Sequence, residues 1–365
     1  MLPSEACNHL TLIFQGNSLE TKTLALLRSP LAALAPPLVL VFCVWLWAID
    51  VLNWDEWMIW TNVVESLQRG GLSLADLVVQ QNEQRNLAAR LSGLLLLPVF
   101  GLNRIAECVL NIALAGGILL LVRRLYSQTA LPSSAPPPML AFSLLCFSLL
   151  QWETFSVGIN SSVLLPPLAM WAGAVLLNHG TLTWGRLMAT ILVGIIPSFS
   201  FVNGLFYWVC LTPLVALRAE GWGRIPKLGF FLLVASLVWT TYFHGYTRPP
   251  HHPSPFLAFT HPLALGGYFL AYLGGALVGD KNLLPLGILA GCASLGLLWL
   301  CLNPIFEHWR RRDLQKVDTT LRWLAPWLAV ATFSLLSAMA TAVGRSGFGL
   351  GHALESRYAT FSTPL

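Results

Sequence analysis

Long apolar runs separated by short polar segments dominate the chain. Nine runs approach the length of about 20 residues that a helix needs to cross a bilayer; they cover residues 33–53, 105–122, 139–152, 163–178, 187–202, 204–218, 228–243, 283–302 and 323–343. Two further runs, 87–102 and 263–279, are short, contain glycine or proline, and are followed almost at once by another apolar run. The pattern predicts an all-α polytopic transmembrane helix bundle with about nine spans, in a range of 9–11, and two interfacial or re-entrant segments.

Composition excludes the ordinary soluble classes. Only 10% of the 365 residues are charged, against about 25% in a typical soluble domain, and 56% are hydrophobic. The mean hydropathy is +0.67, and no polar stretch is long enough to form a soluble domain. The seven cysteines lie mostly inside apolar runs without CxxC spacing, which excludes a zinc ribbon and a thioredoxin-like motif.

The distribution of basic residues predicts the orientation. If the N-terminus is cytoplasmic and the two short runs do not cross, 13 of the 21 Lys and Arg residues lie on the cytoplasmic side. If every run crosses, most of them lie outside, against the positive-inside rule. The first arrangement gives a cytoplasmic tail over 1–32 and one polytopic membrane domain over 33–365. Its extracytoplasmic loops are 54–86, 244–262 and 344–365, and its cytoplasmic segments are 123–138, 219–227 and 303–322.

Ionisable residues avoid the middle of the later spans. No Asp, Glu, Lys or Arg occurs within residues 154–185, 187–217, 228–247, 282–306 or 323–344. Ion-coupled transporters usually carry such groups at mid-membrane, so the pattern favours a site at the outer membrane–water boundary. The positive inner face suits membrane lipids, and no basic patch of the kind that binds nucleic acid is present.

The first candidate cluster follows the first span directly. Trp57, Trp60, Val64 and Leu67 share one helical face, which predicts an interfacial amphipathic helix. The hypothesis is that Asp55 is a general base at the membrane surface, where partial desolvation raises its pKa, with Glu56 as a substitute. The alternative is that both carboxylates only form the solvated side of this helix.

The second cluster is a run of seven polar residues, 80–86. Ser73 and Asp76 have the spacing of a capping box, which predicts a short helix before this run. The run is either a solvated loop or a strip that faces a polar ligand. The residues proposed here as substrate-binding are Asn82, Glu83 and Arg85, with the weaker candidates Glu153, Asn160 and Asn203 at outer ends of spans.

The third cluster is the glycine-rich tail. Four glycines between 344 and 351 would let main-chain amides approach an anion, and Arg345 and Arg357 can bind phosphate through two parallel hydrogen bonds. We therefore expect Arg345, Arg357 and Tyr358 to bind a phosphate group, the alternative being a flexible external loop. A proline-rich loop with His244, His251, His252 and His261 lacks a known metal-ligand spacing. No metal site or cofactor is predicted, although a divalent metal stays open.

A first span followed at once by an acidic residue in an aromatic-rich external helix resembles the C-type membrane glycosyltransferases. In that family the acidic residue is catalytic, which implies this role for Asp55 with Glu56 as the alternate. A late external arginine often meets the lipid phosphate, which implies Arg357 or Arg345. The Asn-Glu-x-Arg stretch at 82–85 and the Gly-Arg…Ser-Arg-Tyr tail also resemble a group of uncharacterised bacterial multi-pass proteins.

The resemblance implies a glycosyltransferase of the bacterial plasma membrane that moves a sugar from a polyprenyl-phosphate donor to a sugar or glycan acceptor on the extracytoplasmic side. The family usually has more spans and often a soluble domain after them, so a sequence that ends at Leu365 implies a truncated or degenerate member. Two other classes stay open. One is a lipid or glycan transporter, and the other is a non-catalytic membrane assembly protein.

Overall fold

The computed structural model of the protein describes residues 23, 25–53, 55–130 and 136–365. Most of the predicted cytoplasmic tail lies outside the described residues, as do Trp54 and part of the linker before residue 139. α-Helices make up the architecture of the described residues. In chain order they are α1 (Ala35–Trp47), α2 (Asp55–Gln68), α3 (Leu74–Leu77), α4 (Leu87–Phe100), α5 (Arg104–Thr129), α6 (Met139–Cys146), α7 (Trp152–Ser156), α8 (Ser161–Leu177), α9 (Trp184–Ser198), α10 (Phe206–Arg218), α11 (Arg224–Phe243), α12 (Phe256–Thr260), α13 (Pro262–Gly274), α14 (Leu284–Arg310), α15 (Leu314–Arg345) and α16 (Ser356–Ser362).

The helices indicate an integral membrane protein. Among the described residues, six helical stretches are apolar and long enough to cross a bilayer, judged by length and composition: Arg104–Thr129, Met139–Ser156, Gly158–Leu177, Gly221–Phe243, Lys281–Arg310 and Leu314–Phe348. Five shorter apolar helices accompany them: Ala32–Trp47, Leu87–Phe100, Trp184–Ser198, Val202–Arg218 and Pro262–Gly274. The all-α bundle is therefore confirmed, and each predicted run coincides with one of these helices. The number of spans stays a prediction.

Local sequence explains several helix boundaries. The side chain of Asn103 caps α5 by accepting a hydrogen bond from the Ala106 N–H at 2.8 Å. Ser73 and Asp76 form the predicted capping box at α3. The polar segment 303–322 was predicted as a connection, but α14 and α15 extend through most of it and leave only residues 311–313 between them. Lys, Arg, Glu and Gln are good helix formers, so both helices continue beyond their apolar parts.

The short helices α4 and α13 are each followed by residues that lie at one end of the bundle. Before α4, the Asn86 N–H donates to the Ser200 carbonyl at 3.0 Å, and after it Arg104 pairs with Glu56, at the same end. After α13, Lys281 pairs with Glu355 at 3.3 Å. That the two segments are re-entrant stays a prediction. We call this end, where α5 and α8 begin and α11 and α15 end, the site end.

The polar segments sort into two groups, one at each end of the bundle. At the site end, Gln80 and Thr247 exchange two hydrogen bonds. At the opposite end, the Arg218 guanidinium donates to the Arg322 carbonyl at 3.0 Å, and the Trp323 indole donates to the Thr129 carbonyl at 2.6 Å. These pairings match the predicted same-side grouping of the loops, whereas which end faces the cytoplasm stays a prediction.

Close helix packing at glycine holds α13 against α14. A Cβ built on Gly291 would overlap the Leu270 carbonyl, and one built on Gly274 would overlap the Gly287 carbonyl. The two helices run antiparallel, so Gly274 faces the beginning of α14. Small residues allow helix backbones to approach this closely in membranes.

Helix α2 differs from the predicted amphipathic helix in one respect. Trp60 does not share the exposed face, because it is buried and its ring covers Gly93 of α4. The exposed apolar residues of α2 are Trp57, Met58, Val64 and Leu67, at 56, 57, 40 and 47% of their accessible surface. One face of α2 therefore packs on the bundle, and an apolar strip remains for the membrane interface.

The tail after α15 is a packed helical segment rather than a flexible loop. Phe361 of α16 is buried and stacks on Phe201 with ring centroids 5.3 Å apart. The Thr360 hydroxyl donates to the Gln151 side chain at 2.8 Å and is hydrogen-bonded to Thr154 at 2.9 Å. Contacts with the bundle therefore fix residues 356–362.

Candidate functional site

A polar cavity of about 620 Å³ lies at the site end. Its walls come from the first residue of α2, the turn 81–86, the beginning of α8, the bend 201–203, the loop 246–255, the end of α15 and residues 348–358. Of the predicted site residues, it brings together Asp55, Asn82, Glu83, Asn160, Asn203, Arg345, Arg357 and Tyr358. The three sequence clusters therefore meet in one place.

The polar stretch 80–86 is a tight turn that tertiary hydrogen bonds fix in place. Gln81 and Gln84 exchange two main-chain hydrogen bonds of 2.8 and 2.9 Å, with Asn82 between them in the left-handed region at φ +51°. The Gln84 side chain accepts from the Val202 N–H at 2.6 Å. The turn therefore holds Asn82 and Glu83 at the cavity wall. It differs from the alternative of a solvated loop, because hydrogen bonds to the rest of the protein fix it.

Arg85 does not line the cavity. Its guanidinium donates to the main-chain carbonyls of Val78 at 2.9 Å, Tyr242 at 3.0 Å and His244 at 2.9 Å. The last two carbonyls belong to the end of α11, where helix carbonyls lack partners within the helix. Arg85 therefore fastens the turn to α11, and its predicted contact with a substrate has no place in this geometry.

Asp55 and Glu56 point to different surroundings. Asp55 is exposed and lines the cavity, and no side chain of the described residues hydrogen-bonds or pairs with its carboxylate. Glu56 is fully buried, accepts a hydrogen bond from the Asn53 N–H at 2.7 Å and pairs with Arg104. Neighbouring helical residues lie about 100° apart, so one of the two faces the cavity and the other the bundle. The structure does not bring Glu56 to the site.

Glu56 belongs to a buried ionic triad with Arg104 and Glu107. All three are at most 5% exposed, and the Arg104 guanidinium contacts both carboxylates. Gly158 covers the triad so closely that an added Cβ would overlap both Arg104 and Glu107. Burial raises the pKa of Glu56, while the neighbouring Arg104 opposes the shift. The triad ties α2 to α5 and was missed in the sequence, where Arg104 and Glu107 only show i, i+3 spacing.

Two arginines that are 12 positions apart in sequence meet at one tyrosine. The guanidinium carbons of Arg345 and Arg357 lie 5.9 and 5.6 Å from the centre of the Tyr358 ring. Arg345 also donates to the Tyr358 hydroxyl at 2.9 Å and pairs with Glu83. The predicted phosphate-binding residues therefore form one cluster.

Arg357 is held more tightly by carboxylates than Arg345. It pairs with Glu355 at 2.8 Å and with Glu153 at 3.4 Å, and Lys281 pairs with Glu355 from the other side. Glu153 lies behind Arg357 and does not line the cavity. Burial alone would raise the pKa of Glu355, but Arg357, His352 and Lys281 outweigh it and hold this pKa below its usual value.

Two asparagines, Asn160 and Asn203, also line the cavity. Asn160 is fixed, because its amide donates to the Glu153 carbonyl at 2.7 Å. Asn203 is 3% exposed, and its amide nitrogen has no hydrogen-bond partner among the described residues. The next residue, Gly204, lies against the Pro197 carbonyl, where a Cβ would overlap it, so the bend needs glycine there. Asn203 therefore offers a free hydrogen-bond donor to a ligand.

Histidines add a third side to the cavity. His252 Nε2 lies 3.5 Å from Glu83 Oε2, and burial, followed by His251 and Arg248, lowers the pKa of His252. The sequence analysis did not select His352. Burial and then nearby cations lower the pKa of His352 to about 4, against the opposing effect of Glu355. Among the described residues, no group of three or more His, Cys, Asp or Glu is placed to hold a metal ion.

A second, apolar cavity of about 250 Å³ lies on the other side of α16. Residues of α5, α6, α8 and α15 line it together with Gln151, Thr360 and residues 363–365. Residues 357–358 therefore face the polar cavity, and residues 360 and 363–365 face the apolar one. An amphiphilic ligand would find both environments close to this helix.

Comparisons of the chain with protein-family models, with curated proteins and with solved structures find no match.

Proposed function

We propose that the protein is a membrane glycosyltransferase that moves a sugar from a polyprenyl-phosphate donor to an acceptor hydroxyl at the extracytoplasmic face of a bacterial plasma membrane. One observation carries the proposal. A single cavity collects an unpaired carboxylate, Asp55, and two guanidinium groups, Arg345 and Arg357, from distant parts of the chain. Transfer from a phosphate-linked sugar needs a base for the acceptor and cations for the departing phosphate.

The proposed donor fits the two kinds of cavity. Its phosphate would bind near Arg345, Arg357 and Tyr358, since guanidinium groups recognise phosphate through paired, charge-assisted hydrogen bonds. Its hydrocarbon chain would lie along apolar surface such as the cavity bordered by Thr360. The sugar would face Asn82, Asn160 and Asn203, which can donate and accept hydrogen bonds to hydroxyl groups.

The proposed reaction is a displacement at the anomeric carbon. Asp55 takes the proton of the acceptor hydroxyl, and the acceptor oxygen attacks the anomeric carbon as the bond to the phosphate oxygen breaks. The electron pair of that bond leaves with the polyprenyl phosphate, whose charge the arginines stabilise. Glu56 takes no part beyond holding α2, because it is buried against Arg104.

The experiment compares Asp55→Asn with Glu65→Gln in purified protein reconstituted into vesicles. Glu65 is an exposed acid of the same helix that does not line the cavity, so it controls for the loss of one negative charge. The substrates are a panel of polyprenyl-phosphate hexoses, and the measurement is release of polyprenyl phosphate. Asp55→Asn should lower the rate by about 10²–10⁴-fold at unchanged thermal stability, and Glu65→Gln should leave it unchanged.

Two outcomes would replace the proposal. Movement of the intact donor across the vesicle membrane without cleavage would favour a lipid transporter. Full activity of Asp55→Asn would remove Asp55 as the base.

A further inference from the structure

The Glu83 carboxylate stands between an arginine and a histidine. Its Oε1 pairs with the Arg345 guanidinium, and its Oε2 lies 3.5 Å from His252 Nε2. Oε2 is buried and has no hydrogen-bond partner among the described residues. Arg345 therefore holds Oε1, whereas Oε2 lies near His252 without a hydrogen bond. A buried polar atom in that state is costly and favours rearrangement.

The main chain of Glu83 is fixed, so a rearrangement is confined to the side chain. The Tyr242 hydroxyl donates to the Glu83 carbonyl at 2.7 Å, and the Gln81–Gln84 hydrogen bonds close the turn around it. Rotation about the side-chain bonds alone can therefore carry the carboxylate away from Arg345. His252 lies on the loop that covers the cavity, where the Arg248 guanidinium donates to its carbonyl at 2.7 Å.

Arg345 is the arginine that an anion can take over most easily. Its only carboxylate partner in the described structure is Glu83. Arg357 has two, Glu153 and Glu355, and Lys281 helps to hold the second. Nη1 of Arg345 donates to the Tyr358 hydroxyl and Nη2 donates to Glu83. A phosphate that binds both nitrogens through paired hydrogen bonds would therefore compete with Glu83 for Nη2.

We propose that Glu83 is a built-in competitor for the anion site. In the empty protein it occupies Arg345, and when a phosphate ester binds there, its carboxylate leaves Arg345 and pairs with His252 instead. The inference rests on the proposed function only in taking the anion to be the phosphate of the lipid donor. It assigns Glu83 a role in setting affinity and in coupling the loop 246–255 to occupancy of the site.

The experiment measures binding of farnesyl monophosphate and of inorganic phosphate to the purified full chain in detergent. Glu83→Gln should bind farnesyl monophosphate on the order of tenfold more tightly than the unaltered protein, because a charge-assisted competitor is gone. The gain should vanish in the Glu83→Gln, Arg345→Gln double variant. Tighter binding of inorganic phosphate to the same extent would assign the site to free phosphate rather than to a lipid headgroup.

Two controls separate competition from a general change in charge. Glu65→Gln removes an exposed carboxylate outside the cavity and should not reproduce the gain. His252→Ala should weaken binding about two- to fivefold when Glu83 is present and have no effect in Glu83→Gln, because His252 acts through Glu83. An equal loss of affinity in both backgrounds would mean that His252 contacts the ligand directly. It would contradict the movement of the Glu83 carboxylate from Arg345 to His252.

Failure of the inference and failure of the proposed function give different results. If Arg345→Gln weakens farnesyl monophosphate binding but Glu83→Gln does not strengthen it, the competitor role is wrong and the phosphate site stands. If neither Arg345→Gln nor Arg357→Gln changes binding, the donor site itself is wrong.

Discussion

Removal of Arg104 tests the buried triad that holds α2 in place. Arg104→Met keeps an unbranched apolar stem but leaves Glu56 and Glu107 facing each other in a site that is at most 5% exposed. Breaking a buried ion pair by removing one partner costs about 3–5 kcal/mol. For a chain of this size we expect the apparent melting temperature to fall by about 4–6 °C.

The loss should also depend on pH. When the pKa of a carboxyl group is higher in the folded than in the unfolded state, the free energy of unfolding falls as the pH rises through that interval. Burial already raises the pKa of Glu56, and Arg104→Met removes the main charge that opposes the shift. The destabilisation should therefore be larger at about pH 8 than at about pH 5, where protonation neutralises the site.

Thermal unfolding in detergent, followed by intrinsic tryptophan fluorescence at both pH values, measures these effects. Lys316→Met is the matched control, because its ion pair with Asp313 at 3.1 Å is half exposed and should contribute less than about 1 kcal/mol. A similar melting temperature for both variants would refute the claim that the triad is buried and paired. A loss of equal size at both pH values would contradict the protonation of the buried carboxylates at about pH 5. Addition of Glu107→Gln to Arg104→Met should restore part of the stability.

Three further predictions concern topology, the tail and a histidine. Single cysteines at Thr260 and Gln315, in a background without native cysteines, should be labelled from opposite sides of the membrane, with Thr260 outside; labelling of both from outside would overturn the orientation. Residues 356–362 should resist hydrogen exchange without any lipid phosphate, and Arg357→Ala should preserve this protection, since buried aromatic contacts rather than a ligand hold the helix. His352→Gln should reduce the loss of stability between about pH 6.5 and pH 4. A histidine whose pKa is lowered to about 4 destabilises the fold as the pH falls through that interval. An unchanged profile of stability against pH would contradict the lowered pKa.

The sequence predicted the helices because apolar length carries most of that information. Every predicted apolar run, including 87–102 and 263–279, contains a helix in the structure. It also predicted that the polar clusters lie at the ends of helices, because charged residues are too costly in the hydrocarbon and collect where helices meet water. Asp55 and Arg345 lie at such positions, one at the beginning of α2 and the other at the end of α15.

The sequence did not predict which way individual side chains of a helix point. Trp57 and Trp60 look alike in the sequence, yet Trp60 packs on Gly93 and Trp57 remains exposed. Asp55 and Glu56 are chemically close neighbours, yet only Asp55 reaches the cavity. In both cases the orientation depends on which residues of a distant helix lie beside α2, and the pattern of one helix does not contain that information.

The sequence by itself determined an all-helical membrane bundle and the chemical types available at its polar boundary, since both follow from local hydropathy. Only the tertiary structure decided that Glu83, Arg345 and Tyr358 form one cluster, that Arg85 fastens a turn to α11, and that the glycine-rich tail packs as a helix. These outcomes depend on contacts between residues far apart in the chain, such as Glu83 with Arg345. The energy of such contacts arises from packing and pairing that exist only once the helices have assembled.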